Sequence, residues 1–195
     1  MASFHAIAAT SATLQSLLRD RYPRDAFGSG LAIELYQPKD FATPMNEGIA
    51  ICLWRVTPNT ARRNLPPRTD AIGRRFRPSL PIDLSYLIVP FADQAERQQR
   101  LLGWLLRAME DLGPLVATQL NHALAESDVF ADVESVDLLN DPLVLADYLT
   151  LWDRIKALPP SATYVMRLLL LDSEAGIDEF PLVQERRFDM AKAPA

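Results

Sequence analysis

The sequence predicts an α+β fold in which helices flank a mixed β-sheet. The first observation is the order of the periodic patterns, which runs helix, three strands, two helices, strand, helix and two strands. The second is the composition of this 195-residue chain, in which 49% apolar and 23% charged residues suffice for a core. The third is the scarcity of glycine, with seven residues against fifteen prolines, many of which lie where a pattern ends.

The first half of the chain carries one helix and three strands. Apolar residues recur at helical spacing over residues 3–20, and Pro23 ends this helix because proline cannot continue the backbone hydrogen bonds. Later segments that are apolar or alternate with period two are predicted strands: 31–36, 49–56 and 81–91. The connection over residues 58–80 is rich in arginine and proline, and loops of this length are usually functional or mobile.

The second half begins with an amphipathic helix over residues 93–112, for which we predict an Asp93 cap and a stop at Gly113. A short helix, a strand, another helix and a strand follow, at 115–124, 129–138, 143–157 and 163–171. The helix over 143–157 carries an apolar set: Leu145, Tyr148, Leu149, Trp152 and Ile155. The strand over 163–171 is apolar enough to be buried on both faces.

The domain prediction places residues 1–172 in one α+β domain and residues 173–195 in a C-terminal extended segment. Within that segment, residues 180–190 have the pattern of a strand. Two readings remain open, since the strand either forms an internal edge or adds to a sheet of another chain.

Composition narrows the class of protein. The net charge of −5 argues against general nucleic-acid affinity, and the single cysteine excludes an internal disulfide. No apolar stretch is long enough for a membrane span, and the N-terminus lacks the pattern of a secretory signal. We therefore expect a cytoplasmic protein.

Charge is divided unequally along the chain. Between residues 59 and 78 a single acid, Asp70, accompanies six arginines: Arg62, Arg63, Arg68, Arg74, Arg75 and Arg77. Residues 108–153 contain ten carboxylates and neither lysine nor arginine. A solvated loop is one explanation. Nucleic-acid binding would call for several stacking aromatics, but Phe76 is the only one in the stretch. We favour a protein partner, since arginine pairs with carboxylates in a planar fork.

No catalytic or metal-binding pattern emerges. The two histidines, His5 and His122, are far apart and lack partners at the spacing that zinc requires. The acids over residues 126–141 lack the spacing and the glycine of a calcium loop. A serine nucleophile elbow is absent, and no pair of carboxylates stands out as a glycosidase pair. We therefore expect no enzyme activity, no metal and no cofactor.

Three landmarks carry a resemblance to a known family, which covers residues 5–172. The first is the stretch from Asn59 to Arg68, with Arg62-Arg63 and Pro66-Pro67. The second is Leu84-Ser-Tyr86-Leu87-Ile88 followed by Leu101-Leu102-Gly103-Trp-Leu105-Leu106-Arg107. The third is Leu151-Trp152 followed by Pro159-Pro160-Ser161 and Tyr164-x-x-Arg167. In their order and spacing, these motifs resemble the cap, or tail-terminator, family of extracellular contractile injection systems of the virulence-cassette and antifeeding-prophage type.

The resemblance implies a fold similar to phage tail terminators and a hexameric ring that caps the tube and sheath at the end distal to the baseplate. The implied partners are the chain itself and the tube and sheath proteins, in the bacterial cytoplasm and then on the particle. Alternatives are a phage tail-completion or head–tail connector protein, and a small enzyme without a recognisable motif.

A cyclic ring brings a different patch of each subunit against its neighbour, so a positive loop and a negative half suit such a contact. The candidate interface residues are the six arginines together with four acids: Asp128, Asp132, Glu134 and Asp137. The partner of the arginines is either the adjacent subunit or the tube and sheath.

Overall fold

A six-stranded sheet and a separate two-stranded hairpin organise the residues described by the computed structural model, which are 2–122, 129–155 and 158–177. The strands are β1 (Ala32–Tyr36), β2 (Gly48–Pro58), β3 (Arg68–Thr69), β4 (Arg75–Phe76), β5 (Leu80–Phe91), β6 (Leu115–Val116), β7 (Ser135–Asn140) and β8 (Ala162–Leu171). The helices are α1 (Ala6–Arg21), α2 (Arg24–Phe27), α3 (Ala95–Leu112), α4 (Ala117–Leu120) and α5 (Leu145–Arg154), with 3-10 turns at Pro38–Ala42 and Thr60–Arg62.

The strand order of the large sheet is β1-β2-β5-β8-β7-β6. β1 pairs with β2 in parallel, whereas the other neighbours pair antiparallel. β3 and β4 form the hairpin, which lies inside the long arginine-rich connection between β2 and β5. The predicted α+β class with a mixed sheet and flanking helices is therefore confirmed.

The central strand β5 explains why the core has two sides. Its side chains alternate across the sheet, so that Tyr86 and Ile88 face one cluster while Leu87 and Val89 face the other. The first cluster is covered by buried residues of α1, α3 and α4. The second is smaller, and the residues at α5 that pack against it, Leu151 and the following Ile155, are only half-buried. One face of the sheet is thus sealed more completely than the other.

A buried polar contact fixes α1 on the first face. The Tyr86 hydroxyl and the Ser11 hydroxyl lie 2.8 Å apart and share a hydrogen bond. Ser11 also donates to the backbone carbonyl of Ile7 at 3.1 Å. Burial raises the pKa of Tyr86, although the hydrogen bond to Ser11 opposes the rise. The phenol is therefore neutral and partnered, which removes the penalty for burying it.

The edge strand β1 is also held by α1. The carbonyl oxygen of Ile33 accepts a hydrogen bond from the Gln15 amide at 2.8 Å and two from the Arg19 guanidinium at 2.7 and 3.1 Å. An edge carbonyl of this kind is otherwise available to another strand. Here the chain's own side chains occupy it.

Several boundaries differ from the sequence predictions. Helix α3 begins at Ala95, after Gln94, so Asp93 is not its cap, and no side chain caps this end. The predicted helix 115–124 is a short strand, β6, followed by the single turn of α4, and residues 123–124 lie outside the described part of the chain. β6 forms because Leu115 and Val116 pair with β7.

Among the described residues, none of the helices combines the length and apolarity needed to cross a membrane.

The predicted strand 129–138 begins only at Ser135, because side chains hold the preceding residues in a loop. The Asn121 side chain donates to the carbonyl of Phe130 at 2.9 Å and accepts from its N–H at 2.8 Å. The strand predicted to be buried on both faces is so over residues 162–166, but Arg167 is exposed. The reason is that Arg167 alternates with Met166 and so lies on the less completely covered face of the sheet. There Arg167 and Leu168 form a bulge opposite the single residue Asp83 of β5.

The arginine-rich connection and α5 attach to opposite ends of the sheet. The connection joins the last residue of β2, Pro58, to the first residue of β5, Leu80. α5 joins Asn140 of β7 to Ala162 of β8, and Ala162 pairs with Ile88 near the far end of β5. At about 3.3 Å per residue, a strand as long as β2 spans on the order of 30 Å. The two elements therefore lie at separate places on the surface.

Candidate functional site

The arginine-rich connection is fastened to the sheet at its base by Asn59 and Asp83. The Asn59 side-chain amide donates to both carboxylate oxygens of Asp83, at 3.0 and 2.9 Å. Its oxygen accepts from the backbone N–H groups of Ala61 and Arg62, which starts the 3-10 turn. Asp83 also accepts the N–H of Leu168 at 3.1 Å. Leu168 has a φ of 62°, a strained value for a branched residue, and this bond helps to hold it there.

Asp70 builds the turn of the hairpin. Its carboxylate accepts hydrogen bonds from the backbone N–H groups of Ile72 and Arg74 and from the Arg74 side chain. Gly73, with a φ of 86°, supplies the left-handed residue that this turn requires. Desolvation raises the pKa of Asp70, but the Arg74 hydrogen bonds and the backbone N–H of Ile72 outweigh it, so the pKa lies below its ordinary value. The one acid of the stretch is thus structural.

The hairpin divides the arginines into two groups. The guanidinium of Arg68 lies 4.5 Å from the centre of the Phe76 ring and that of Arg74 lies 5.7 Å from it, both within the range of cation–π contacts. Arg68 also approaches Asp172, with 3.6 Å between Nε and the carboxylate. By contrast, four exposed arginines make no ion pair with any carboxylate in the described part of the chain: Arg62, Arg63, Arg75 and Arg77.

Two further arginines extend this basic surface. Arg55 on β2 and Arg167 on β8 are exposed, and they line a cleft of about 510 Å³ together with Asn59 and Asp83. Sequence reasoning missed both because they are distant from residues 59–78 along the chain. The bulge at Arg167 and Leu168 has no sequence signal of its own, since Leu168 is not a glycine.

The chain after β8 returns to the hairpin. The N–H of Arg77 donates to the carbonyl of Ala175 at 3.0 Å, and the N–H of Ile177 donates to the carbonyl of Arg75 at 2.9 Å. Phe76 and Gly176 form the bridge between them. The first residues of the predicted C-terminal segment, 173–177, therefore lie against β4. The predicted strand 180–190 falls outside the described residues.

Three of the four candidate acids lie in the described residues, and their surroundings differ. The fourth, Asp128, lies outside the described residues. Asp132 is exposed in the loop before β7, and Asp137 is exposed on β7 itself. Glu134 is half-buried, and its carboxylate accepts the backbone N–H of Ala131 at 2.6 Å. Burial raises the pKa of Glu134, with a further rise from nearby Asp172, although the bond from Ala131 opposes it. Glu134 therefore shapes a turn, while the other two described acids face solvent.

The acids and the arginine hairpin are separated across the sheet but occupy the same end of it. β5 begins at Leu80, directly after the arginine-rich connection, and Leu80 pairs with the last residue of β8. The start of β7 pairs with the same half of β8. The structure thus brings Glu134 towards Asp172. Within the described ranges, the exposed acids Asp132 and Asp137 form no ion pair with the four exposed arginines.

Helix α5 presents a feature that the sequence did not separate from ordinary amphipathicity. None of its residues is buried. Leu145, Leu149 and Trp152 are exposed at 72%, 53% and 51%, and lie on one side of the helix. We refer to these three residues as the α5 stripe. Exposed apolar clusters of this kind often mark interaction sites.

The two histidines are not brought together. His5 directly precedes α1, whereas His122 lines a cleft of about 340 Å³ with residues of α1 and α4. Within residues 2–122, 129–155 and 158–177, no group of three or more His, Cys, Asp or Glu side chains is arranged to hold a metal ion. Among the described residues that line that cleft, Asp20 carries the one carboxylate.

We compared the chain, with its mixed sheet, charged hairpin and exposed apolar helix, with known families and solved structures. The model of the family described as the Pvc16 N-terminal domain matches residues 9–185. Because the match spans most of the sequence, the chain belongs to the Pvc16 N-terminal domain family. No curated protein matches the sequence.

Two solved structures share the fold. One is the sheath/tube terminator of the extracellular contractile injection system PVC in its extended state, with a TM-score of 0.61 and 15% identity over 95% of this chain and 65% of that one. The other is the tube-terminating cap of the anti-feeding prophage, with a TM-score of 0.59 and 16% identity over 92% of this chain and 60% of that one. The resemblance noted in the sequence is confirmed. The chain spans less than two-thirds of the length of either neighbour.

Proposed function

We propose that this chain is a structural cap, which ends the tube and sheath of a contractile injection particle as a hexameric ring. The observation that carries the proposal is a fold shared with a sheath/tube terminator over 95% of the chain, in a member of the Pvc16 N-terminal domain family. The proposed partners are further copies of the chain and the tube and sheath proteins. The proposed location is the baseplate-distal end of a particle assembled in the bacterial cytoplasm.

The surface of the molecule supports a role in assembly. Four exposed arginines without an ion pair in the described residues are available to a partner. Arginine is enriched in interfaces because its fork pairs with carboxylates and its plane stacks on aromatic rings. One of them, Arg75, lies on the hairpin whose turn is held by hydrogen bonds to Asp70, so its backbone loses little freedom on binding. Capping by contact requires no catalytic group and no cofactor.

Electron microscopy of particles made with and without this chain tests the cap role directly. A cap stops polymerisation, so we expect tubes of variable and greater length when the chain is deleted. Re-expression should restore a narrow length distribution. Uniform particles in the absence of the chain would contradict the proposal.

Charge reversal of Arg62 and Arg63 tests the basic surface. Both side chains are exposed, so R62E/R63E should leave the fold intact while placing two carboxylates where the partner expects cations. We expect loss of binding to particle ends, seen as long tubes, together with an unchanged unfolding transition.

A matched control carries the same charge change elsewhere. Arg24 and Lys39 are also exposed, so R24E/K39E alters net charge equally but leaves the connection between β2 and β5 untouched. Normal particle length with this control and long tubes with R62E/R63E would tie the effect to the loop. Equal effects from both variants would mean that net charge, and not the loop, is responsible.

A further inference from the structure

Helix α5 has two apolar sides. One packs against the sheet, and the other is the exposed α5 stripe. Successive residues of a helix are about 100° apart, so Leu145, Leu149 and Trp152 fall within an arc of about 60°. The residues that pack towards the sheet, Leu151 and Ile155, are half-buried and lie on a different arc. The adjacent residue before the helix, Val144, is 65% exposed and enlarges the apolar area.

The border of the α5 stripe is acidic. Asp153 follows Leu149 at about 40° around the helix, and Asp141 is exposed shortly before the helix begins. The nearest cation on the helix, Arg154, is about 140° from Leu149. A partner for this surface should therefore present an apolar group with positive charge beside it.

The tip of the β3–β4 hairpin has that composition. Ile72 is 75% exposed at the turn, although it is a large apolar residue. Arg75 is exposed on the adjoining strand and forms no ion pair within the described residues. Because side chains alternate along a strand, Arg75 points away from the face on which Phe76 contacts Arg68. The tip thus combines an apolar group with a cation that forms no ion pair in the part of the chain that the structure describes.

The hairpin and α5 attach at opposite ends of the sheet, which fits a contact between copies better than a contact within one copy. In a closed ring each subunit offers one patch to the neighbour ahead and a different patch to the neighbour behind. Tryptophan and arginine are the residue types that most often dominate such contacts.

We infer that the hairpin tip of one copy binds the α5 stripe of the next copy. Ile72 packs against Leu149 and Trp152, and Arg75 pairs with Asp153. This inference rests on the proposed function, because the ring supplies the neighbouring copy. The complementary charge of the two patches selects a second copy of the chain as the occupant.

Disulfide trapping between two single-cysteine variants tests the contact. Chains carrying I72C and chains carrying L149C are purified separately, mixed and mildly oxidised, both free in solution and after binding to tube ends. The native Cys52 is buried, and desolvation raises the pKa of its thiol, so it is a poor competitor. We expect a 72–149 disulfide between copies in the mixture only.

A matched pair controls for random collision. Val133 is 93% exposed and lies outside both patches, so V133C mixed with L149C should give little product. Absence of the 72–149 disulfide in both settings overturns the inference, as does a predominant 149–149 link, which indicates symmetric pairing. If the link forms but particles remain uncapped, the contact stands and the proposed function fails.

A charge exchange sharpens the test. R75D and D153R each place like charges together, so we expect each variant alone to weaken association at least about 10-fold. The two variants mixed, or combined in one chain, face opposite charges again and should recover most of the loss. The failure of the combined variant to recover would overturn the pairing of these two residues. Sedimentation or light scattering measures the association, independently of capping.

Discussion

Helices α3 and α5 separate apolar from polar side chains to nearly the same degree, yet they meet different surroundings. α3 buries Leu101, Leu105 and three further residues against the sheet. α5 buries none of its residues and leaves the α5 stripe exposed. An amphipathic pattern therefore identifies the apolar side of a helix, but it does not identify what that side contacts. In α3 the apolar side is covered by the chain's own core.

The largest expected effect comes from making the same substitution in both helices. L105A removes a fully buried leucine from α3 and should lower the free energy of unfolding by about 2–5 kcal/mol, because the cavity cannot fully collapse. L149A on α5 removes an exposed leucine and should change it by less than about 1 kcal/mol. Denaturant titration of both variants measures the difference. Similar losses would mean that α5 is as much a part of the core as α3.

The second prediction extends the comparison to the arginine-rich connection, which is exposed like α5 but fastened to the sheet. D83A removes the acceptor of hydrogen bonds from Asn59 and Leu168, so we expect a loss of about 1–3 kcal/mol in unfolding free energy. Hydrogen exchange of residues 59–78 should also accelerate. D137A, at an exposed aspartate of β7, is the control and should change stability by less than about 0.5 kcal/mol. A connection that exchanges at the wild-type rate in D83A would contradict this role.

The smallest expected effect concerns pH and the turn of the hairpin. The folded-state pKa of Asp70 lies below its unfolded value, so the unfolded chain binds more protons and stability rises with pH in this range. The contribution is complete above about pH 5, about one unit above the ordinary pKa of aspartate, and is lost as pH falls through the folded pKa. D70N should therefore lose less stability than the wild type between about pH 5 and about pH 2. Parallel denaturation curves at these pH values measure it, and identical pH profiles would contradict the prediction.

Long, strongly periodic segments were predictable from the sequence. The strand predicted over 81–91 is Leu80–Phe91, and the helix predicted over 93–112 is Ala95–Leu112. Their many apolar residues repeat with one period, so the pattern outweighs local exceptions. The short elements were not predictable. The strand β6 depends on pairing with a distant partner, and the loop before β7 depends on the Asn121 side chain.

The candidate interface could be predicted only in outline. The arginine cluster is evident from composition, but the sequence does not distinguish arginines that hold Phe76 from those that remain exposed. That distinction depends on a hairpin of two-residue strands, which has almost no periodicity. Likewise, Leu149 and Ile155 look equivalent in the helix predicted over 143–157, although only Ile155, which follows α5, packs towards the sheet.

The occupied carbonyl of Ile33 has a consequence for how copies of this protein meet. An unpaired edge strand allows proteins to associate through backbone hydrogen bonds between their strands. Such association depends little on side chains, and it can continue from one chain to the next. With Gln15 and Arg19 bonded to that oxygen, β1 is a poor template for such growth. Recognition is left to side chains, which discriminate between partners. This suits the proposed cap, because a chain that ends one polymer should not start another.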